Sequence, residues 1–184
     1  MTYIELHDIA TPYIEKISST PGNSFSLAMK LGIPFKTEKQ CEEDYGGKMT
    51  PLRNTPAFLA INGKEKVIYF NSNTRYWNFY MFHEIAHYIL EHDNDSPENE
   101  ADANMLACIL MAPVENLPSY LKTARDLSCL CSMPIDKAEE YWEEIYPNVR
   151  RDYVSEVVSD YLADVHSAVG RLLSKVECLI EQRH

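Results

Sequence analysis

Apolar residues recur at helical spacing in four parts of the chain, and two further apolar runs have the form of a β-hairpin. The helical spacing covers Tyr3–Ile17, Phe25–Leu31, Tyr76–Glu91 and Ser96–Met111. The two runs Ala57–Ile61 and Val67–Phe70 are separated by a segment that begins with Asn62-Gly63, a dipeptide typical of tight hairpin turns. These patterns predict an α+β fold that is mainly helical and carries a small β-sheet.

The chain beyond Pro118 is expected to be helical. Two helices are predicted, Tyr120–Leu130 and Ile135–Tyr146, joined around Met133-Pro134, and a stripe of apolar residues after Pro147 predicts one long amphipathic helix. We therefore divide the chain into a main domain (1–118), a two-helix segment (119–146) and a C-terminal helix (147–184). The last helix is expected to pack against the domain or against a second copy, which would make a homo-oligomer.

Composition and charge exclude several classes of protein. The 184 residues carry 28 acidic and 17 basic side chains, a net charge of −11, which disfavours direct binding of nucleic acid. No apolar stretch approaches the ~18–20 residues of a membrane helix. The segment Met1–Ala10 has neither the basic nor the apolar region of a secretory signal. The sequence thus predicts a cytoplasmic protein with no membrane partner.

Candidate chemistry is concentrated in the H-E-x-x-H motif of the predicted helix after Tyr76. Four residues of α-helix advance ~400° and rise ~6 Å, so His83 and His87 project from nearly one face. Two imidazoles so placed can bind one Zn²⁺, and Glu84 beside them can serve as general base toward a water molecule. The alternative interpretation is a surface helix on which these three residues coincide by chance.

A third ligand is expected from the next helix, which begins after Ser96. Glu100 shares a face of that helix with two alanines and with Asn104, which could hydrogen-bond a ligand. Glu98 and Asp102 are rivals, but helical phase turns them ~200° away from Glu100. An acidic residue near a helix N-terminus is also favoured by the helix dipole alone, so a role without metal is the alternative for Glu100.

These motifs resemble the ImmA/IrrE family of zinc metallopeptidases. The resemblance rests on H-E-I-A-H-Y-I-L from His83, on E-x-x-A-N-x-L-A-x-x-L-M-x-P from Glu100, and on an upstream L-G-I that ends at Ile33. It implies a zincin-like domain in which His83, His87 and Glu100 bind zinc and Glu84 is the catalytic acid/base. Asn78 departs from the family, which frequently has arginine there.

The same resemblance implies a function in bacteria, prophages or other mobile elements. Such proteins act in transcription regulation as endopeptidases that cleave a helix-turn-helix repressor, so a DNA-binding protein is the expected substrate. The alternative is a zinc-containing regulator that binds a repressor or another partner without cutting it. Relatives also carry a helix-turn-helix-like region near 119–146, but the acidic face around Glu139 and Glu143 disfavours DNA binding here. His92 is interpreted as a solvated histidine, although it could line the cleft.

Overall fold

Seven α-helices and three short strands form the part of the chain that the computed structural model describes, residues 1–17, 19–46, 51–62 and 65–147. The α+β prediction is confirmed, since the protein is mainly helical with one small sheet. The helices are α1 (Tyr3–Ile14), α2 (Ser24–Leu31), α3 (Glu38–Asp44), α4 (Trp77–Ile89), α5 (Pro97–Met111), α6 (Ala124–Cys131) and α7 (residues 135–147), and the strands are β1 (Phe35–Thr37), β2 (Ala57–Asn62) and β3 (Glu65–Phe70).

The chain divides into two compact units, Met1–Ile145 and Tyr146–His184. The predicted C-terminal helix over 147–184 lies outside the described residues from position 148 onward. The first unit includes the two-helix segment that follows Pro118, and the narrower boundary at that proline stays a prediction. None of the described helices is both long enough and apolar enough to cross a membrane.

The helix boundaries follow local capping signals. Ser96 caps α5 by accepting a hydrogen bond from the Asn99 amide, and Pro97 occupies the first turn, as predicted. Helix α6 begins at Ala124 rather than near Tyr120, because Thr123 forms a capping box with Asp126. The helix predicted to start at Tyr120 was therefore placed about one turn too early.

The sheet has the order β1-β3-β2, with β1 parallel and β2 antiparallel to β3. The predicted hairpin is confirmed, but its strands are longer than expected: Asn62 pairs with Glu65, which leaves only residues 63–64 to connect them. Strand β1 and helix α3 were not predicted. Three and seven residues are too short for a periodic pattern, and β1 becomes a strand through its pairing with β3.

Helices α4 and α5 pack together, and α4 also packs on β2 and β3. Their contact buries large apolar side chains completely, which fixes the two helices that carry the predicted site. The fully buried large side chains of these two helices are Phe79, Met81, Phe82, Ile85, Leu106, Ile109, Leu110 and Met111. Gly22 lies against this pair, where an added Cβ would stand 2.8 Å from the Leu110 carbonyl oxygen.

Candidate metal centre

Helix α4 brings the two motif histidines together. The Nε2 atoms of His83 and His87 are 3.0 Å apart, and both side chains are almost fully buried. Their spacing of four residues accounts for this, since it is slightly more than one helical turn. The face predicted from the sequence is therefore present, and both imidazoles direct the same nitrogen toward one point.

Helix α5 adds a carboxylate to the histidine pair. The Oε1 atom of Glu100 is 3.2 Å from His87 Nε2, and Oε2 is 3.4 Å from His83 Nε2. One ligand atom from each of the three residues lies within 4.8 Å of the others. His83, His87 and Glu100 could therefore hold a metal ion, and their role as zinc ligands stays a prediction.

The rival acidic residues on α5 lie elsewhere. Asp102 accepts a hydrogen bond at 2.7 Å from the terminal amine of Met1, and Glu98 is exposed. Ala103 and Ala107, which share the face of Glu100, are completely buried. The helical phase used to choose Glu100 thus describes α5 correctly.

Burial disfavours the charged forms of the groups around this point. Desolvation, with a smaller effect of neighbouring His87, lowers the pKa of His83 to about 4. Desolvation also raises the pKa of Glu84 to about 8, with smaller contributions from Glu100 and Asp95 and a partial offset from the Leu59 backbone. A cation at this point would oppose the raised pKa of Glu84, and it would bind the neutral imidazole that burial already favours at His83.

Asn104 lies near the His83 ring and acts to raise its pKa. The Nδ1 atom of His83 is nevertheless buried, and within the described part of the chain no group meets it at hydrogen-bond distance and angle. Asn104 was predicted to support a ligand, and it is half-buried on the face of α5 that carries Glu100. A direct hydrogen bond from its amide to the ligand histidine stays a prediction.

His92 is closer to the site than the sequence indicated. Its Nδ1 is 2.9 Å from the Nδ1 of His87, and the residue is half-buried rather than solvated. Burial lowers the pKa of His92, as does His87 beside it. The alternative that His92 lines the cleft is therefore confirmed, and its interpretation as a solvated side chain is wrong.

The candidate ligands line a cleft of about 570 Å³ between α4, the start of α5 and strand β2. Strand β2 is at the edge of the sheet, so one side of its backbone faces this cleft. Four acidic side chains lie on the walls, and no lysine or arginine lines them among the described residues. The acidic members are Glu84, Asp93, Asp95 and Glu100.

Asn78 has a structural role in place of the arginine expected from the resemblance. Its Oδ1 accepts hydrogen bonds from the backbone amide and the hydroxyl of Ser24, at 3.1 and 2.7 Å, and its Nδ2 donates to the Gly22 carbonyl at 3.0 Å. These contacts tie the start of α2 to the first turn of α4. Sequence reasoning had no signal for them, since the partners are 54–56 residues apart.

No protein-family model matches the chain, and no curated protein matches it with significance. The functional assignment therefore depends on the geometry of the site and on the motifs themselves.

Proposed function

We propose that the protein is a zinc-dependent endopeptidase of the ImmA/IrrE type. The observation that carries this proposal is the convergence of His83, His87 and Glu100 in a cleft that also contains the buried carboxyl group of Glu84. A surface helix with coincidental histidines would not be expected to converge on a carboxylate from a second helix.

The donor set favours zinc among the divalent metals. Two imidazole nitrogens and one carboxylate oxygen are a ligand set of hydrolytic zinc enzymes, which keep a fourth position for substrate or water. Hard cations such as Mg²⁺ and Ca²⁺ prefer oxygen ligands throughout. When bound, zinc supplies a Lewis acid that polarises a carbonyl group and makes water more acidic.

Glu84 is the proposed general base. Its carboxyl group is nine-tenths buried and has a pKa near 8 in the absence of a cation. A positive charge at the ligand set would lower that pKa and so favour the ionised carboxylate, which is the form that a general base requires. Glu84 then takes a proton from the attacking water and returns it to the amine that leaves the broken peptide bond.

Strand β2 favours a peptide as the substrate. The Asn71 amide donates to the Pro56 carbonyl, so alternate residues from position 56 bond to β3. The backbone groups of Leu59 and Ile61 consequently face the cleft. The Leu59 amide interacts there with Glu84, and the remaining groups can pair with an extended chain. Such pairing would hold a peptide bond beside the ligand set without requiring a particular side chain.

The proposed substrate is a DNA-binding repressor of the helix-turn-helix class, which would make the protein a regulator of transcription. The resemblance supplies this class of substrate, and the acidic walls of the cleft are compatible with a basic partner. The expected location is the cytoplasm, where such repressors act.

A cleavage assay tests the proposal. The zinc-loaded protein is incubated with the helix-turn-helix repressor encoded nearest to it, and products are identified by mass spectrometry. The wild type should cleave at a defined bond, and Glu84→Gln should cleave about 10²- to 10⁴-fold more slowly while retaining zinc. Equal relief of repression in cells by wild type and Glu84→Gln would contradict proteolysis and favour a regulator that acts by binding.

A further inference from the structure

The end of helix α4 forms a backbone turn that determines where His92 lies. The His92 amide donates to the His87 carbonyl at 3.1 Å, and the Glu91 amide donates to the Tyr88 carbonyl at 3.4 Å. This pair of bonds is the Schellman arrangement, in which the chain reverses just after the helix. His92 is thereby brought back over the helical turn that contains His87.

The turn uses a non-glycine residue in the left-handed conformation. Glu91 has a φ of 55°, where glycine is the usual residue because a Cβ raises the energy. Glu91 has this conformation immediately before His92, which contacts the candidate ligand His87. In a Schellman turn, the side chain that follows the left-handed residue commonly contacts the residue whose carbonyl its own amide bonds. Here that contact joins the imidazoles of His92 and His87, whose ring centroids are 5.0 Å apart.

The two nitrogens of His87 have separate partners. Its Nε2 faces His83 and Glu100, and its Nδ1 is 2.9 Å from Nδ1 of His92. For Nε2 to bind a cation, the proton of neutral His87 must be on Nδ1. That N–H can then donate to the lone pair on Nδ1 of His92. A metal-ligating histidine ordinarily donates its second N–H to a carboxylate, a carbonyl or water, so an imidazole acceptor performs the same task here.

We propose that His92 is a positioning residue for the metal centre, which accepts the hydrogen bond from His87 Nδ1–H and so fixes the tautomer and orientation of that ligand. The inference rests on the metal-binding part of the proposed function and does not depend on peptide hydrolysis. His92 does not itself bind the metal, because its Nδ1 faces the far side of the His87 ring.

Zinc affinity of the full-length chain tests this role. The dissociation constant is measured by competition with a chromophoric chelator for the wild type, His92→Ala and His92→Asn. Loss of a residue that hydrogen-bonds a metal ligand typically weakens metal binding about 10- to 100-fold. The dissociation constant of His92→Ala should therefore rise by that factor. His92→Asn should recover most of the affinity, because its amide oxygen lies at about the same distance from the backbone as Nδ1.

Two further measurements separate positioning from a general structural effect. Thermal unfolding of the metal-free proteins should give similar midpoints for wild type and His92→Ala. His7→Ala is the matched control, because His7 contacts Glu115 instead of the ligand set, and its zinc affinity should equal that of the wild type. Zinc binding by the wild type with no change in His92→Ala would overturn the role of His92. Absence of zinc binding in the wild type itself would instead overturn the metal centre.

Discussion

Two groups of polar side chains lie on either side of the sheet, and they differ in whether their charges are matched. In the first, His83, Glu84 and Glu100 border the cleft without a lysine or arginine on its described walls. In the second, Lys36 donates to Asp44 at 2.6 Å, and the Tyr69 hydroxyl donates to the same carboxylate oxygen at 2.7 Å.

The electrostatic consequences are opposite. Hydrogen bonds from Lys36 and Tyr69 lower the pKa of Asp44, so its charged form is favoured. Burial raises the pKa of Glu84 to about 8, so its charged form is disfavoured. Lys36 matches the charge of Asp44, whereas no lysine or arginine lines the described walls of the cleft. A cation held by His83, His87 and Glu100 would supply a positive charge near Glu84, as the proposed metal centre requires.

The largest expected effect is stabilisation by zinc, which should depend on the residues of the first group and not on those of the second. Zinc at about 1,000 times its dissociation constant should stabilise the wild type by about 4 kcal/mol, or about 10 °C in the unfolding midpoint. His87→Ala should lose this increment because it removes a ligand, and Asp44→Asn should keep it. Thermal unfolding with zinc and with a chelator measures both. An equal increment in His87→Ala would show that zinc binds elsewhere.

The next-largest effect is expected from the close packing of Gly22 against helices α4 and α5. Gly22→Ala would place a Cβ 2.8 Å from the Leu110 carbonyl oxygen and 3.0 Å from the Phe82 ring. Overpacking of this kind costs about 1–3 kcal/mol, which urea unfolding of the metal-free chain should detect. Unchanged stability would mean that α4 and α5 can separate slightly to make room for the added methyl group.

A smaller effect is expected from the hydrogen bond in the second group. Tyr69→Phe removes the donor to Asp44 without changing the ring that packs on Phe58. The free energy of unfolding should fall by about 1 kcal/mol, with no change in zinc affinity. A weaker zinc affinity in Tyr69→Phe would show that the two groups are coupled through the sheet.

The smallest effect is the pH dependence of the second group. Because the folded-state pKa of Asp44 is lowered, its contribution is present above the ordinary carboxylate pKa of about 3.9 and is lost as the pH falls through the lower folded value. Asp44→Asn should therefore be less stable than the wild type at pH 6, and the difference should shrink below about pH 3.9. Urea midpoints of the metal-free proteins at several pH values measure this. A difference that is constant with pH would contradict the assigned partners.

The sequence predicts those parts of the site that depend on local backbone geometry. His83 and His87 follow from a fixed helical spacing, and Glu100 follows from the phase of a helix whose start Ser96 marks. These are local rules of backbone geometry. The sequence also predicts that β2 and β3 pair, since two apolar runs flank a short segment that begins with Asn62-Gly63.

The contacts that were missed depend on tertiary structure. The position of His92 follows from the left-handed conformation of Glu91, which no local preference predicts for glutamate. Lys36 and Tyr69 are neighbours because β1 pairs in parallel with β3 across 33 positions of sequence. Asn78 meets Ser24 by a similarly distant contact. Such pairings arise from how the elements pack, and a single sequence carries no periodic signal for them.

The most direct test of the metal centre is the ligand environment of zinc in the purified wild-type chain. X-ray absorption of the zinc-loaded protein should give one zinc per chain with nitrogen and oxygen ligands at about 2.0–2.2 Å and no sulfur. The signal should be absent from His87→Ala prepared in the same way. Failure to bind zinc, or a sulfur shell at about 2.3 Å, would contradict a centre formed by His83, His87 and Glu100.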